Sequence, residues 1–133
     1  MCPVQCRVVI EDMIESAQYS VDIMTQYIYD DTILWLLKNL DPDIKLRLLL
    51  SDSDGNYDTL DYFGDELVTI HDSDAGYLHT KTILVDERWL LVWSMNLSSN
   101  SLDRNREIGL IITDPDMINY YVNHFEQLFQ GLW

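Results

Sequence analysis

Residues 79–107 read HTKTILVDERWLLVWSMNLSSNSLDRNRE, and the reading of this stretch decides how the rest of the chain is understood. It holds three polar pairs spaced i, i+2: His79 with Lys81, Ser94 with Asn96, and Asn105 with Glu107. On an extended strand, residues two apart face the same way, so each pair presents two polar groups side by side. Apolar runs adjoin all three pairs: ILV lies beyond the first, WLLV precedes the second and IGLII follows the third. Each pair is therefore expected at one end of a largely buried strand. Three strand ends carrying His, Lys, Ser, two Asn and Glu would make a compact anion site.

The spacing runs His79-x-Lys81, four residues to Asp86, six more residues, then Trp93-Ser94-x-Asn96, with Asn105-x-Glu107 downstream. It resembles the HKD motif of the phospholipase D superfamily, H-x-K-x4-D-x6-G-S-x-N followed by N-x-E. Seven polar positions and their spacings agree, whereas an isolated H-x-K would be nearly worthless. One position departs: Trp93 stands where the family usually has glycine or another small residue. Its side chain either narrows the pocket beside Ser94 or turns into the core. The resemblance implies an α/β fold, an αβα sandwich with a mixed, largely parallel sheet. It also implies that His79 forms a phosphohistidine, Lys81 and Asn96 bind phosphate, Ser94 and Asn105 assist, and Glu107 orients the histidine. Asp86 is in that pattern a structural hydrogen-bonding residue away from the phosphate.

The residues support the same chemistry on their own terms. Phosphodiester cleavage needs a nucleophile, an acid for the leaving oxygen, and positive or hydrogen-bonding groups around the phosphoryl oxygens. A neutral, oriented His79 can be the nucleophile, and Glu107 is the best candidate to accept a hydrogen bond from its other ring nitrogen. Lys81 supplies a cation, while Asn96 and the Ser94 hydroxyl supply neutral donors. With those groups in place the expectation is no cofactor and no metal. His71 and His124 lack such a setting and read as a satisfied or solvent-facing pair.

The mechanism implied by the family uses two histidines, each from its own motif, and this chain has one. A second HKD lobe is expected, either by homodimerisation or from a longer parent chain. The substrate is expected to be a phosphodiester, with a phospholipid headgroup slightly favoured for hydrolysis or transfer. The alternatives are a metal-independent endonuclease of the same superfamily acting on nucleic acid as a homodimer, and a non-catalytic anion-binding or dimerisation module in which Trp93 has spoiled the pocket.

Composition bounds these readings. The 133 residues suit a single domain over 1–133, and 23 acidic against 8 basic residues give a formal charge of −15. A broadly basic nucleic-acid face is thereby disfavoured, although Lys81, Arg88, Arg104 and Arg106 make up half of the basic residues. Abundant aspartate with few lysines fits a chain kept soluble at high salt, and equally an acidic surface for ordinary solubility. Cys2 and Cys6 lack the further ligands of a zinc site and read as reduced, partly buried thiols. No apolar run reaches membrane-span length and the start lacks a signal peptide, so a soluble domain is expected, cytoplasmic or of unknown location, with any targeting element left to a longer parent chain.

Along the chain, Val9, Ile10, Met13, Ile14 and Ala17 share a helical face within residues 6–18. SVDIMTQYI (20–28) reads as the first strand. Asp30, Asp31 and Thr32 are N-cap candidates for a helix through ILWLLKNL, which Pro42 ends, and KLRLLL is the second strand. A helix between two such strands predicts a βαβ unit. Residues 51–64, rich in Asp, Gly and Asn, read as a solvated loop rather than a calcium loop. LVTIHDS gives a third strand, and Asp114-Pro115 opens a final helix with a core-facing stripe from Met117 through Tyr121 and Phe125 to Leu128.

Overall fold

The computed structural model describes residues 5–76, 78–94, 96–104 and 106–132. In chain order the elements are α1 (Cys6–Glu15), β1 (Ser20–Thr25), α2 (Asp31–Lys38), β2 (Lys45–Ser51), α3 (Asp54–Phe63), β3 (Val68–His71), a 3-10 turn (Ser73–Ala75), β4 (Thr82–Val85), β5 (Trp89–Trp93), α4 (Ser99–Asp103), β6 (Gly109–Ile112) and α5 (Pro115–Phe129). The six strands form one sheet in the order β3-β2-β1-β4-β5-β6.

The sheet is mixed, but two parallel pairings against three antiparallel ones correct the expectation that it is largely parallel, and its two halves arise from different connections. β1 pairs with β2 and β2 with β3 in parallel, because a helix crosses over between each pair. The other three pairings are antiparallel. The β4–β5 connection shows why: Asp86 and Glu87 both take positive φ, at 55° and 53°. Arg88 N–H donates to Val85 O at 3.0 Å. Two consecutive left-handed residues make a type I′ turn, whose twist suits a tight hairpin.

Strand periodicity divides the core. Val21, Ile23, Leu46, Leu48, Leu50, Ile83, Val85, Leu91 and Trp93 point to one face and pack with Ile10 and Ile14 of α1, Ile33 and Leu37 of α2, Phe63 of α3 and Leu102 of α4. Met24, Leu49, Leu84 and Leu90 point the other way and are covered by α5 through Ile118 and Phe125. This is an αβα sandwich with one helix on its second face. Trp93 is 7 % exposed and belongs to the first core, so its ring turns inward. Gly109, paired with it across β6, makes room: a Cβ there would lie 3.3 Å from Trp93 Cβ.

Further expectations need correction. Met117 is 54 % exposed on α5 rather than part of its core-facing stripe, where Ile118 and Phe125 are the buried residues. Residues 51–64 are not a loop, since α3 occupies most of them. The inward residues of α3 are Asn56, Thr59 and Phe63, spaced as one helical face but mostly polar, which hides the usual apolar signal. Asn56 Nδ2 donates to Gln26 O and Ser51 O, both at 2.8 Å, so a buried amide does the anchoring. The IGLII run is not a largely buried strand. β6 is a sheet edge, and Ile108, Leu110 and Ile111 are exposed. Finally, Cys6 is disulfide-bonded rather than reduced. Cys2, read in the same way, lies outside the described residues.

Asp86 acts as a brace far from the strand ends that carry the polar pairs. Its carboxylate accepts from the backbone N–H of Tyr19 at 2.7 Å, Ser20 at 3.0 Å and Gln18 at 3.1 Å, tying the hairpin turn to the entry of β1. The longest helix, α5, has 15 residues, and no helix among the described residues is long and apolar enough to cross a membrane.

Candidate active site

β4 runs antiparallel to β5 and β5 to β6, so the start of β4, the end of β5 and the start of β6 lie at one end of the sheet. The ladder extends into the motif residues: Trp93 N–H donates to Lys81 O and Ser94 N–H to Ile108 O, each at 3.1 Å. His79 and Lys81 before β4, Ser94 after β5 and Glu107 before β6 are therefore brought to the same edge by main-chain pairing.

Lys81 is 4 % exposed, while His79 and Ser94 are exposed and Glu107 is half-buried. Lys81 Nζ lies 3.2 Å from His79 Nδ1, 3.3 Å from Nε2 and 2.9 Å from His79 O, to which it donates. A point nearly equidistant from both ring nitrogens sits over the imidazole rather than along either lone pair, so the ammonium stacks on the ring. Ser94 Oγ donates to Glu107 Oε2 at 2.6 Å, which fixes this pair as a second unit of the site. Burial pushes the Lys81 ammonium below its ordinary pKa, and the Glu107 charge offsets part of that. Among the described residues no carboxylate stands within ion-pair distance of Lys81.

Asn96 is held by a different neighbour. Its Nδ2 donates to Tyr27 Oη at 3.0 Å, because Leu97 bridges in parallel with Ile28 and brings the two loops together. Sequence reading missed Tyr27; a pairing between residues 28 and 97 leaves no local signal. Asn105 lies outside the described residues. His71 is buried in β3 and His124 is exposed on α5.

A cluster beside the site also escaped the sequence reading. Arg7 on α1 reaches Asp30 at 2.6 Å and Asp103 at 2.7 Å, and Asp30 also accepts from Ile33 N–H at 3.0 Å and Ser99 Oγ at 2.8 Å. Asp30 thus caps α2 while joining α1 and α4. Burial alone would raise its pKa, but Arg7, the α2 amide and Ser99 together hold it below the usual carboxylate range. Glu126 is likewise lowered, chiefly by Arg47. Groups depressed in the folded state stabilise it above their unfolded pKa, and that stability is lost as pH falls through the folded value. The urea midpoint is expected to be level from pH 7 to about pH 5 and to fall below about pH 4. Asp30→Asn flattens that decline; a wild-type midpoint unchanged down to pH 3 would contradict the ion-pair account.

With this geometry in view, comparison with known proteins identifies its origin. The family described as "cardiolipin synthase, PLD-like domain" matches residues 10–129. The chain belongs to the phospholipase D superfamily. It is 32 % identical over 123 residues to cardiolipin synthase 2 of Bacillus anthracis, covering 86 % of this chain and 24 % of that protein. It is 35 % identical over 60 residues to human mitochondrial cardiolipin hydrolase, covering 45 % of this chain and 24 % of that one. The chain thus spans about a quarter of the length of these relatives. Its fold matches the phospholipase D family member Nuc from Salmonella typhimurium with a TM-score of 0.76 at 20 % identity, over 93 % of this chain and 86 % of that one. The curated relatives it matches are named for cardiolipin synthesis and hydrolysis.

Proposed function

We propose that the chain is one lobe of a phosphodiesterase that works through a phosphohistidine on His79, with phospholipid headgroup hydrolysis or transfer favoured. The observation that carries this reading is Lys81: an ammonium at 4 % exposure, stacked on His79 and without a carboxylate in ion-pair contact among the described residues. A buried cation with no carboxylate in ion-pair contact is costly, and an arriving phosphate would supply that contact. Two similar proteins are named for cardiolipin, which supports a phospholipid. The inward turn of Trp93 removes the reason to read the pocket as blocked.

In the proposed reaction a neutral His79 nitrogen attacks phosphorus and the bond to the leaving oxygen breaks. Lys81, Asn96 and Ser94 take up the phosphoryl charge, Asn105 assists them, and Glu107 orients the histidine directly or through Ser94. A histidine from the second lobe protonates the leaving oxygen, then accepts a proton from the water or alcohol that releases the phosphoryl group. The second lobe is supplied by another copy or by a longer parent chain. The β6 edge fits a second copy, because exposed Ile108 and Leu110 adjoin Glu107 and carry no charge in a chain of −15.

The test is hydrolysis in EDTA of phospholipid micelles, single-stranded DNA and a chromogenic phosphodiester, each assayed separately. Expected is turnover of the chromogenic substrate and faster turnover of phospholipid. Activity on DNA alone would move the assignment to an endonuclease, to which exposed Arg104 and Arg106 would then be relevant. Activity lost on chelation and restored by a divalent ion would contradict the metal-free mechanism.

A further inference from the structure

Residues 27–30, between β1 and α2, run beside the loop that follows β5 and fasten it. Ile28 pairs with Leu97 in a parallel bridge, and Leu97 O accepts from Tyr29 N–H at 2.8 Å and from Asp30 N–H at 3.1 Å. Ser99 Oγ donates to Asp30 at 2.8 Å. The main chain next to Asn96 is thereby fixed, which leaves the orientation of its amide to be set. One contact sets it: Nδ2 donates to Tyr27 Oη at 3.0 Å.

The amide is unevenly satisfied. Asn96 Oδ1 is buried and has no hydrogen-bond partner among the described residues. Turning the amide over would put two N–H donors in that closed position instead of one C=O, and buried N–H groups are the costlier ones to orphan. Tyr27 Oη consequently acts as the acceptor. It engages one of the two Nδ2 donors and leaves the other for an incoming anion, while the buried carbonyl oxygen stays out of that anion's reach.

Tyr27 is itself held in place. Its ring stacks on Tyr29 with centroids 4.3 Å apart and planes at 14°. Tyr29 Oη lies 2.8 Å from Ser53 Oγ, and the Tyr29 ring rests against Gly55 of α3, where a Cβ would fall 2.5 Å from Cε1. The hydroxyl that Asn96 uses is thus fixed through the start of α3, a segment outside the motif at the strand ends.

We propose that Tyr27 is a positioning residue for phosphate: its hydroxyl holds the Asn96 amide with a donor toward the phosphoryl oxygens and the carbonyl turned away. The inference rests on the reading of Asn96 as a phosphate ligand and adds the residue that aims it. Without the hydroxyl, Nδ2 loses its partner and nothing opposes a rotation that brings Oδ1 out to water. There it would meet the anion as one acceptor facing another.

The test is a double-mutant cycle with two readouts on the full chain. One is calorimetric titration with sodium phosphate, matched in ionic strength with sodium chloride; the other is turnover of the chromogenic phosphodiester in EDTA. Tyr27→Phe keeps the ring and its stack, and is expected to weaken phosphate binding about tenfold, the effect of one hydrogen bond to a charged group. Asn96→Ala weakens it at least as much, and Tyr27→Phe added to Asn96→Ala costs nothing further. A merely structural effect of Tyr27 would persist when the Asn96 amide is absent. Tyr57→Phe, which removes a surface hydroxyl bonded to Asp52 at 2.9 Å, leaves affinity and rate unchanged. Wild-type affinity in Tyr27→Phe, or a loss of equal size in the Asn96→Ala background, would overturn the inference. Turnover by wild type with Tyr27→Phe indistinguishable from it removes the role of Tyr27 alone. A cycle that holds for phosphate in a chain without turnover supports that role and removes the phosphodiesterase reading alone. A wild type that binds no phosphate overturns both.

Discussion

His79→Ala lowers phosphodiester turnover by about 10⁴-fold or more while leaving the urea midpoint at its wild-type value. The large kinetic effect follows if the imidazole forms the covalent intermediate, since no other described group at the strand ends offers a comparable nucleophile. The small effect on stability follows from exposure: His79 stands outside both hydrophobic cores. The other histidines are controls of two kinds. His124→Ala, on the exposed side of α5, changes neither quantity. His71→Ala lowers stability, because the side chain is 6 % exposed at the end of β3, but leaves the rate per folded molecule intact. Equal rate losses at all three positions would remove His79 from its assigned role.

Arg47→Ala is expected to cost about 3–5 kcal/mol, a large share of the roughly 5–15 kcal/mol that holds a domain together. Arg47 on β2 forms two parallel bonds to Asp22 on the neighbouring β1, at 2.8 and 2.9 Å, and both side chains are buried. It also pairs with Glu126 of α5 and lies 5.0 Å from the Phe125 ring centroid, so one guanidinium fastens that helix to the sheet. Truncation leaves the Asp22 carboxylate buried beneath α5 without a partner. Replacing both charges by apolar groups, as in Asp22→Leu with Arg47→Met, removes the orphan and is expected to be close to neutral. Urea denaturation of the single and double variants checks this; a single-variant loss below about 1 kcal/mol would show that water already reaches Asp22.

The contrast between His79 and Arg47 shows what the sequence makes legible. His79, Lys81, Ser94 and Glu107 could be read because their spacing is local and the hairpin brings them together by ordinary antiparallel pairing. Asp86 could be read as structural for a similar reason, its place within the motif. Tyr27 and the Arg7–Asp30–Asp103 cluster depend on contacts between segments far apart in the chain, which periodicity does not encode. Arg47 sits inside KLRLLL, where one charge in an apolar strand gives no sign of its partners. α3 was hidden because its buried face uses Asn56 and Thr59, and the exposure of β6 because an apolar run looks the same in a sheet centre and at a sheet edge.

In its homodimeric form, the central claim is that His79 acts opposite a second copy of itself across one cleft. Subunit mixing tests it most directly: wild type and His79→Ala chains are exchanged at constant total concentration and the phosphodiesterase rate is measured against the wild-type fraction. If each active site needs both histidines, only wild-type pairs work, and an equal mixture retains about a quarter of the wild-type rate. A rate that stays strictly proportional to the wild-type fraction, at half for the equal mixture, would contradict the shared site.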